Sequence, residues 1–167
     1  MAITKLDLTK AVSEKLPLTN FPAGSIIQTV VGKHDSAGGS TTSTSYVECS
    51  SSFRPTITPT RANSKIQGFI YTNVLDDIDN DSQGQPSSGF KVTYTIDSTE
   101  TSYYDRTTAF NFGGQDRRSG FKTFVDLTVT STDEIVFKVF YKASTGSRSR
   151  QYNSFRLSHF VLHEVAQ

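Results

Sequence analysis

The chain has 167 residues and a formal net charge of +1, from 17 Lys and Arg against 16 Asp and Glu. This balance excludes a general polyanion binder, so we expect no direct contact with nucleic acid. The single cysteine excludes an internal disulfide, and no apolar run approaches the ~20 residues of a membrane span, so we expect no membrane contact.

Residues 1–24 predict an extended N-terminal arm that is distinct from the rest of the chain. Apolar residues are scattered there among charged ones, and those we expect to dock are Ile3, Leu6, Leu8, Val12 and Leu16. Pro17 and Pro22 then favour an extended path into the domain. The segment is too short to form a core of its own, so we expect it to dock on another surface. It also lacks the apolar stretch of a secretory signal.

Residues 25–167 carry the pattern of short β-strands separated by polar turns. Phe90, Val92, Tyr94 and Ile96 alternate with polar residues, which is the period of a half-buried strand. Comparable segments occur at 25–31, 46–53, 64–74, 121–129, 135–141 and 152–165. Stretches rich in Gly, Ser, Asn and Asp separate them. The pattern predicts one all-β domain, an antiparallel sandwich that is jelly-roll-like.

Several short motifs occur together in this domain. They are PAGSIIQ at 22–28, TSTSYV at 42–47, ITP at 57–59, SKI at 64–66 and an apolar final strand that contains Glu164. In scattered patches over residues 23–167, the chain resembles compact β-domains of bacteriophage virion proteins, especially tail-fibre and adhesin-like domains. The resemblance implies a non-enzymatic homotrimer on the virion surface, made in the host bacterial cytoplasm. Its partners would be other capsid or tail proteins.

The length of the arm separates two roles within that family. Tail fibres usually place such a domain at the end of a long shaft, whereas here only residues 1–24 precede it, with no repeat or coiled coil. This favours a capsid decoration (cement) protein that is anchored by its arm. The alternative is a short tail fibre that binds host surface glycans. A free carbohydrate-binding module would leave the arm without a purpose.

No catalytic residue is expected. The serines form no Gly-x-Ser-x-Gly elbow, and no pair of carboxylates stands out. Cys49 lies in a Ser-rich strand pattern, which is more typical of a small half-buried hydrophobe than of a nucleophile. His159 and His163 would lie about 13 Å apart along a strand, too far for one metal ion.

The acidic segment at 76–81 is the strongest chemical feature of the sequence. Asp77, Asp79 and Asp81 alternate and could present carboxylate oxygens to Ca²⁺. The segment lacks the rest of an EF-hand, because Ser82 stands where Gly is required and Ser88 where the bidentate Glu is required. A solvated acidic loop is therefore favoured, and we expect no metal and no cofactor.

Two basic clusters are candidates for contacts between subunits. Arg117 and Arg118 form one, and Arg148 and Arg150 form the other. Aromatic residues follow the second cluster, which would also suit stacking on nucleic-acid bases. The nearly neutral net charge opposes that interpretation, and guanidinium groups are favoured at protein interfaces.

A cluster of aromatic residues allows two interpretations. Tyr103, Tyr104, Phe110 and Phe112 lie in a polar stretch that is followed by two glycines. Exposed rings among Asn, Gln and Asp suit a glycan, because rings stack on sugar faces while polar groups bond to hydroxyls. The other interpretation is packing in the core or between subunits.

Overall fold

The structure is a computed structural model that describes residues 21–34, 41–78, 87–109, 117–142, 149–152 and 158–167. Residues 1–20, most of the predicted arm, lie outside these ranges. The chain enters the domain beside its C-terminus: the Gly24 N–H donates to the Ala166 carbonyl over 2.8 Å, and the Ala166 N–H donates to the Ser25 carbonyl over 2.9 Å. Within the described ranges, no helix has the length and hydrophobicity that a membrane crossing requires.

The described residues form ten strands, and every pairing between them is antiparallel. They are β1 (Ile26–His34), β2 (Val47–Glu48), β3 (Thr56–Ile57), β4 (Lys65–Ile78), β5 (Ser87–Ile96), β6 (Thr99–Ala109), β7 (Arg117–Thr128), β8 (Ile135–Lys142), β9 (Ser149–Tyr152) and β10 (Ser158–Val165). A two-residue turn joins β5 to β6, and its residues Asp97 and Ser98 have φ angles of 45° and 62°. Positive φ at both positions matches the twist of the paired strands.

The strands make two sheets. In the first sheet the order is β1-β10-β4-β7, and β9 also pairs with β4. In the second sheet the order is β2-β8-β5-β6, and β3 also pairs with β8. A late strand lies between early ones in both sheets, so the chain crosses repeatedly from one sheet to the other, as in a jelly roll. The predicted all-β antiparallel sandwich, jelly-roll-like in topology, is confirmed.

The core lies between the inner faces of the two sheets. Along β8, buried and half-buried residues alternate without interruption, as the period of a strand requires. Phe90 of β5 stacks on Phe121 of β7 with ring centroids 4.7 Å apart, which joins the second sheet to the first. The largest fully buried apolar side chains are Phe90, Phe137, Ile57, Ile66, Ile70, Ile135, Leu162, Val92 and Val139.

The strand boundaries differ from the sequence prediction at several places. The strand predicted at 46–53 is only Val47–Glu48, and within the one predicted at 152–165, β9 ends at Tyr152 and β10 begins at Ser158. β6 was not predicted, because it is an edge strand whose sequence is mostly polar and alternates only weakly. β4 continues to Ile78, so the prediction of a loop that begins at Asp76 is wrong. The backbone of Asp76 pairs with Arg117 of β7 on one side and with Gln151 of β9 on the other, and this pairing prolongs the strand.

Gly68 permits the close approach of β4 to β10 at the centre of the first sheet. A Cβ atom at this position would lie 1.9 Å from the carbonyl oxygen of Val161, and the φ angle of Gly68 is 155°. The obstructing atom belongs to the backbone of a central strand, so it cannot move without disturbing the hydrogen bonds between strands.

We therefore expect Gly68→Ala to lower the free energy of unfolding by about 3 kcal/mol. Gly89→Ala is the matched control: its Cβ would approach Lys142 Cε to 2.5 Å and Lys142 Cγ to 2.8 Å, but both atoms belong to a flexible side chain rather than to a backbone. The control should lose less than about 1 kcal/mol. Chemical denaturation measures both losses, and equal losses would contradict the assignment of strain to the β4–β10 contact.

Candidate interaction surface

Four apolar side chains form a straight row across the outer face of the first sheet. Val31 of β1 pairs with Val161 of β10, Val161 pairs with Phe69 of β4, and Phe69 pairs with Phe124 of β7. These four residues, the apolar row, come from all four strands of the sheet at one level. Their sequence neighbours on the inner face, such as Ile70 and Val125, are buried.

The two ends of the apolar row are strongly exposed. Val31 is 68% exposed and Phe124 is 71% exposed, and both values belong to large apolar side chains. Single exposed apolar residues are common on protein surfaces. In the apolar row, the half-buried side chains of Val161 and Phe69 lie between the two exposed ends. Such a row is a different feature from single exposed residues, because contiguous apolar surface usually marks an interaction site.

A basic row lies on one side of the apolar row, two residues along each strand. It consists of Lys33, His159, Tyr71 and Lys122, which are paired in that order across the sheet. A polar row lies on the other side and consists of Thr29, His163, Gln67 and Asp126, paired in the same order. The two ends of the basic row are cations, whereas the polar row ends in the carboxylate of Asp126.

Contacts between rings and cations hold the centre of this face. The Nζ atom of Lys122 lies 4.4 Å from the ring centroid of Phe69 and 4.9 Å from that of Phe124. The His159 ring meets Phe69 edge-on at 5.6 Å and lies 4.9 Å from the Tyr71 ring. Cation–π and ring contacts restrict the side chains, so less conformational entropy is lost when the surface is covered.

The polar row is held by contacts along the same face. The Thr29 hydroxyl and His163 Nδ1 share a hydrogen bond of 2.9 Å. Lys65 Nζ lies 2.8 Å from an Asp126 carboxylate oxygen, and its hydrogen bond is the main cause that lowers the pKa of Asp126 below its usual range. Asp126 is therefore a fixed negative charge at neutral pH, at the opposite side of Phe124 from Lys122.

Glu164 on β10 lies on the inner side of the same sheet and is 0% exposed. Its carboxylate accepts hydrogen bonds from Ser64 Oγ at 2.6 Å, from Gln28 Nε2 at 2.8 Å and from Thr60 Oγ1 at 2.9 Å. The backbone N–H groups of Thr60 and Arg61 also donate to it. Gln28 Nε2 in addition donates to the Thr58 carbonyl over 2.6 Å.

These donors decide the ionisation of the buried carboxyl group. Burial raises the pKa of Glu164, but the hydrogen bonds from Ser64, Thr60 and Gln28 together lower it below the usual range for glutamate. The carboxylate therefore stays charged and joins β1, β10 and the segment before β4. Three of the sequence motifs, PAGSIIQ, ITP and SKI, meet here through Gln28, Thr58 and Ser64.

The predicted aromatic candidates that the structure describes are engaged in packing. Tyr104 is half-buried, and its ring lies 5.4 Å from the ring of Phe121. Tyr103 is also half-buried; its hydroxyl accepts a hydrogen bond of 2.8 Å from the Asp126 N–H, and its ring lies edge-on to Tyr94 at 6.2 Å. Glycan binding at these residues stays a prediction.

The predicted basic clusters approach each other along the first sheet. The backbone of β4 lies between β7, where Arg117 pairs with Asp76, and β9, where Arg150 pairs with Asp77. The sheet thus brings together the start of the acidic segment, the strand that contains Arg117 and Arg118, and the strand that contains Arg150. The role of these arginines and of Arg118 in subunit contacts stays a prediction.

Other predicted residues lie outside the described ranges: Ile3, Leu6, Leu8, Val12, Leu16, Asp79, Asp81, Phe110, Phe112 and Arg148. Of the candidate calcium ligands, only the backbone of Asp77 is described, and it is part of β4. In the described part of the chain, no three His, Cys, Asp or Glu residues are grouped so that they could hold a metal ion.

Cys49 lies in the core beside Tyr141. Burial, and to a smaller extent the charge of Glu48, raises the pKa of the Cys49 thiol far above its usual range. Burial, followed by the nearby Cys49, raises the pKa of Tyr141 to about 12. Both groups are therefore protonated at neutral pH, and a protonated buried thiol is a poor nucleophile.

Comparison with known proteins gives distant structural likenesses. No protein-family model and no curated protein matches the chain. The structure of infectious bursal disease virus Gt strain is similar to it at 13% identity and a TM-score of 0.38, over 86% of this chain and 39% of that chain. The VP2 subviral particle of infectious bursal disease virus matches at 14% identity and a TM-score of 0.33, over 86% and 39% of the two chains.

Dimeric latent PorU from Porphyromonas gingivalis is similar at 8% identity and a TM-score of 0.39, over 88% of this chain and 14% of that chain. The chain therefore spans less than half the length of each of these solved chains. Likenesses of this size concern the β-fold alone.

The buried carboxylate predicts a specific dependence of stability on pH. Glu164→Gln should lower the free energy of unfolding at neutral pH by about 2–3 kcal/mol, because an amide satisfies the converging donors poorly. The folded pKa of Glu164 lies below the ordinary value of about 4.3, so its stabilisation is complete above that pH and is lost as the pH falls through the folded pKa. The difference in the free energy of unfolding between the variant and the wild type should therefore become smaller at acidic pH.

Denaturation curves at several pH values measure this difference. Glu100→Gln is the matched control, because Glu100 is an exposed carboxylate that is paired with Lys138 at 2.7 Å. The Glu100→Gln control should lower the free energy of unfolding by less than about 0.5 kcal/mol. A Glu164→Gln variant that is as stable as the control at neutral pH would contradict the role given to the network.

Proposed function

We propose that the protein is a non-enzymatic structural protein of a bacteriophage virion, a homotrimer that decorates the capsid and is anchored by its N-terminal arm. The observation that carries the proposal is the apolar row on the outer face of a jelly-roll domain, which is exposed at both ends and half-buried at its centre. Such surface favours a protein that assembles with other proteins. Jelly rolls occur in viral capsid domains, and the sequence motifs resemble those of phage virion proteins.

The arm supplies the attachment in this proposal. Burying four of the five docking residues of the arm on a partner would contribute roughly 6–12 kcal/mol. Ordering the backbone of residues 1–20 costs about 1–2 kcal/mol for each residue, which is more than this gain. The arm therefore also needs backbone hydrogen bonds to its partner. Three arms in one trimer would multiply the strength of weak single attachments.

The test compares two full-length variants for their ability to join particles that lack this protein. The first replaces Ile3, Leu6, Leu8, Val12 and Leu16 with Ser. The matched control replaces Thr4, Thr9 and Ser13 with Ala, so that the arm changes but its apolar residues stay. Both variants should be folded trimers by circular dichroism and light scattering. Only the first should lose particle occupancy, by about tenfold or more.

Two results would contradict the proposal. One is wild-type occupancy of the first variant, which would place the attachment on the β-domain. The other is a monodisperse monomer of the wild-type protein at micromolar concentration. Location at the tail, with binding to host polysaccharide that persists in both variants, would instead identify a short tail fibre.

A further inference from the structure

We propose that the outer face of the first sheet binds the same face of a second copy of this chain, with a two-fold axis that runs along the apolar row. This pairing goes beyond the proposed function, because it names a partner for the exposed face whether or not the protein belongs to a virion. The partner follows from the register of four strands and from the charges that flank the apolar row.

The three rows have the symmetry that such a pairing needs. On β7, Lys122 and Asp126 lie equally far from Phe124, one in the basic row and one in the polar row. On β4, Tyr71 and Gln67 are placed in the same way about Phe69. Rotation by half a turn about the apolar row exchanges the two flanking rows while each strand stays opposite its own copy. The basic row of one copy thus meets the polar row of the other.

This rotation gives complementary contacts at the exposed edge strand. Lys122 of each copy lies opposite Asp126 of the other, so the contact contains two pairs of opposite charge. Asp126 is already held by Lys65 at 2.8 Å, and a carboxylate has enough lone pairs to accept a further cation. In an isologous contact every such pair occurs twice, so one pair of opposite charges contributes to the binding free energy twice.

The other two-fold arrangement in the plane of the face is unfavourable. An axis along the strands would place β1 of one copy over β7 of the other. Lys33 would then meet Lys122 of the second copy, and the same repulsion would occur twice. Like charges brought together at an interface cost several kcal/mol. The charge pattern therefore favours the axis along the apolar row over the axis along the strands.

The apolar row supplies the centre of the contact. Its four residues lie on the axis, so Phe124 faces Phe124 and Phe69 faces Phe69 across the interface. Two sheets that pack face to face are about 10 Å apart, a distance that side chains from both faces fill. The Phe124 side chain is 71% exposed in the single chain and has the most surface to bury.

The size of the face determines the affinity that we expect for self-association. Four strands about 4.8 Å apart, and five residues at about 3.3 Å each, define a face of roughly 15 Å by 15 Å. This is smaller than the ~800 Å² per partner of a typical stable complex. We therefore expect weak, reversible association, nearer to millimolar than to micromolar, and the measurement needs a concentration series that reaches high concentration.

The test uses charge reversal in the full-length protein, followed by sedimentation over concentrations from low micromolar to near millimolar. Wild type should double its mass as concentration rises. Lys122→Glu alone places two carboxylates opposite each other, and Asp126→Lys alone places two ammonium groups opposite each other. Each variant alone should associate at least about tenfold more weakly. A 1:1 mixture of the two should associate again, because both contacts then have opposite charges.

Matched controls separate this contact from a general effect of charge. Lys138→Glu and Glu100→Lys reverse an ion pair of 2.7 Å on the second sheet, and neither should change the association. Phe124→Ser should weaken association about tenfold or more, whereas Ile26→Ser should not. Ile26 is also exposed, at 55%, but lies outside the three rows. Circular dichroism verifies the fold of each variant.

The masses distinguish this inference from the proposed trimer. A sedimentation mass of six chains supports both the pairing and the trimer. A mass of two chains supports the pairing and contradicts the trimer. A mass of three chains that does not rise with concentration would overturn the pairing and leave the trimer intact. Failure of the 1:1 mixture to associate, when each single variant is folded and wild type doubles, would also overturn the pairing as described.

Discussion

The carboxylate of Glu164 is the group on which the arrangement of the first sheet depends. A charge that is 0% exposed is tolerated only where hydrogen-bond donors surround it. Gln28 reaches it from β1, while Thr60 and Ser64 reach it from the segment before β4. If β1 or β4 slipped along β10 by one residue, these donors would lose the carboxylate. The cost of leaving a buried charge without partners therefore fixes the register of three strands.

The same register creates the apolar row. Side chains alternate between the two faces of a strand, so a slip of one residue would exchange the inner and outer sets. With the observed register, Val161 and Phe69 lie side by side on the outer face, and β1 and β7 extend the row to Val31 and Phe124. Gly68 contributes by letting β4 and β10 approach closely beside Phe69. The inner network and the outer surface are thus two results of one strand alignment.

Sequence reasoning could reach the fold class but not this surface. The alternation in β5, β7 and β8 is local, so it predicted an antiparallel sandwich correctly. β6 was missed because an edge strand needs few apolar residues, and the end of β4 was missed because its neighbours β7 and β9 stabilise it. The apolar row and the Glu164 network both join residues that are distant in sequence; Glu164 and Thr60, for example, are 104 positions apart. A local pattern contains no information about such pairings.

The outer faces of the two sheets differ in how much apolar surface they expose. On the second sheet, Lys138 pairs with Glu100 at 2.7 Å, and the Tyr46 hydroxyl donates to Asp105 over 2.5 Å. These contacts join side chains within one chain and suit a face that stays in water. On the first sheet, apolar surface is exposed and the charges at its margin are unequal on the two sides. On such a face, the charges are complementary to those of a second copy rotated by half a turn. Association is therefore more favourable in free energy than exposure of this face to solvent. Under the proposed pairing, the first sheet supplies the face for assembly and the second sheet the face that stays in water.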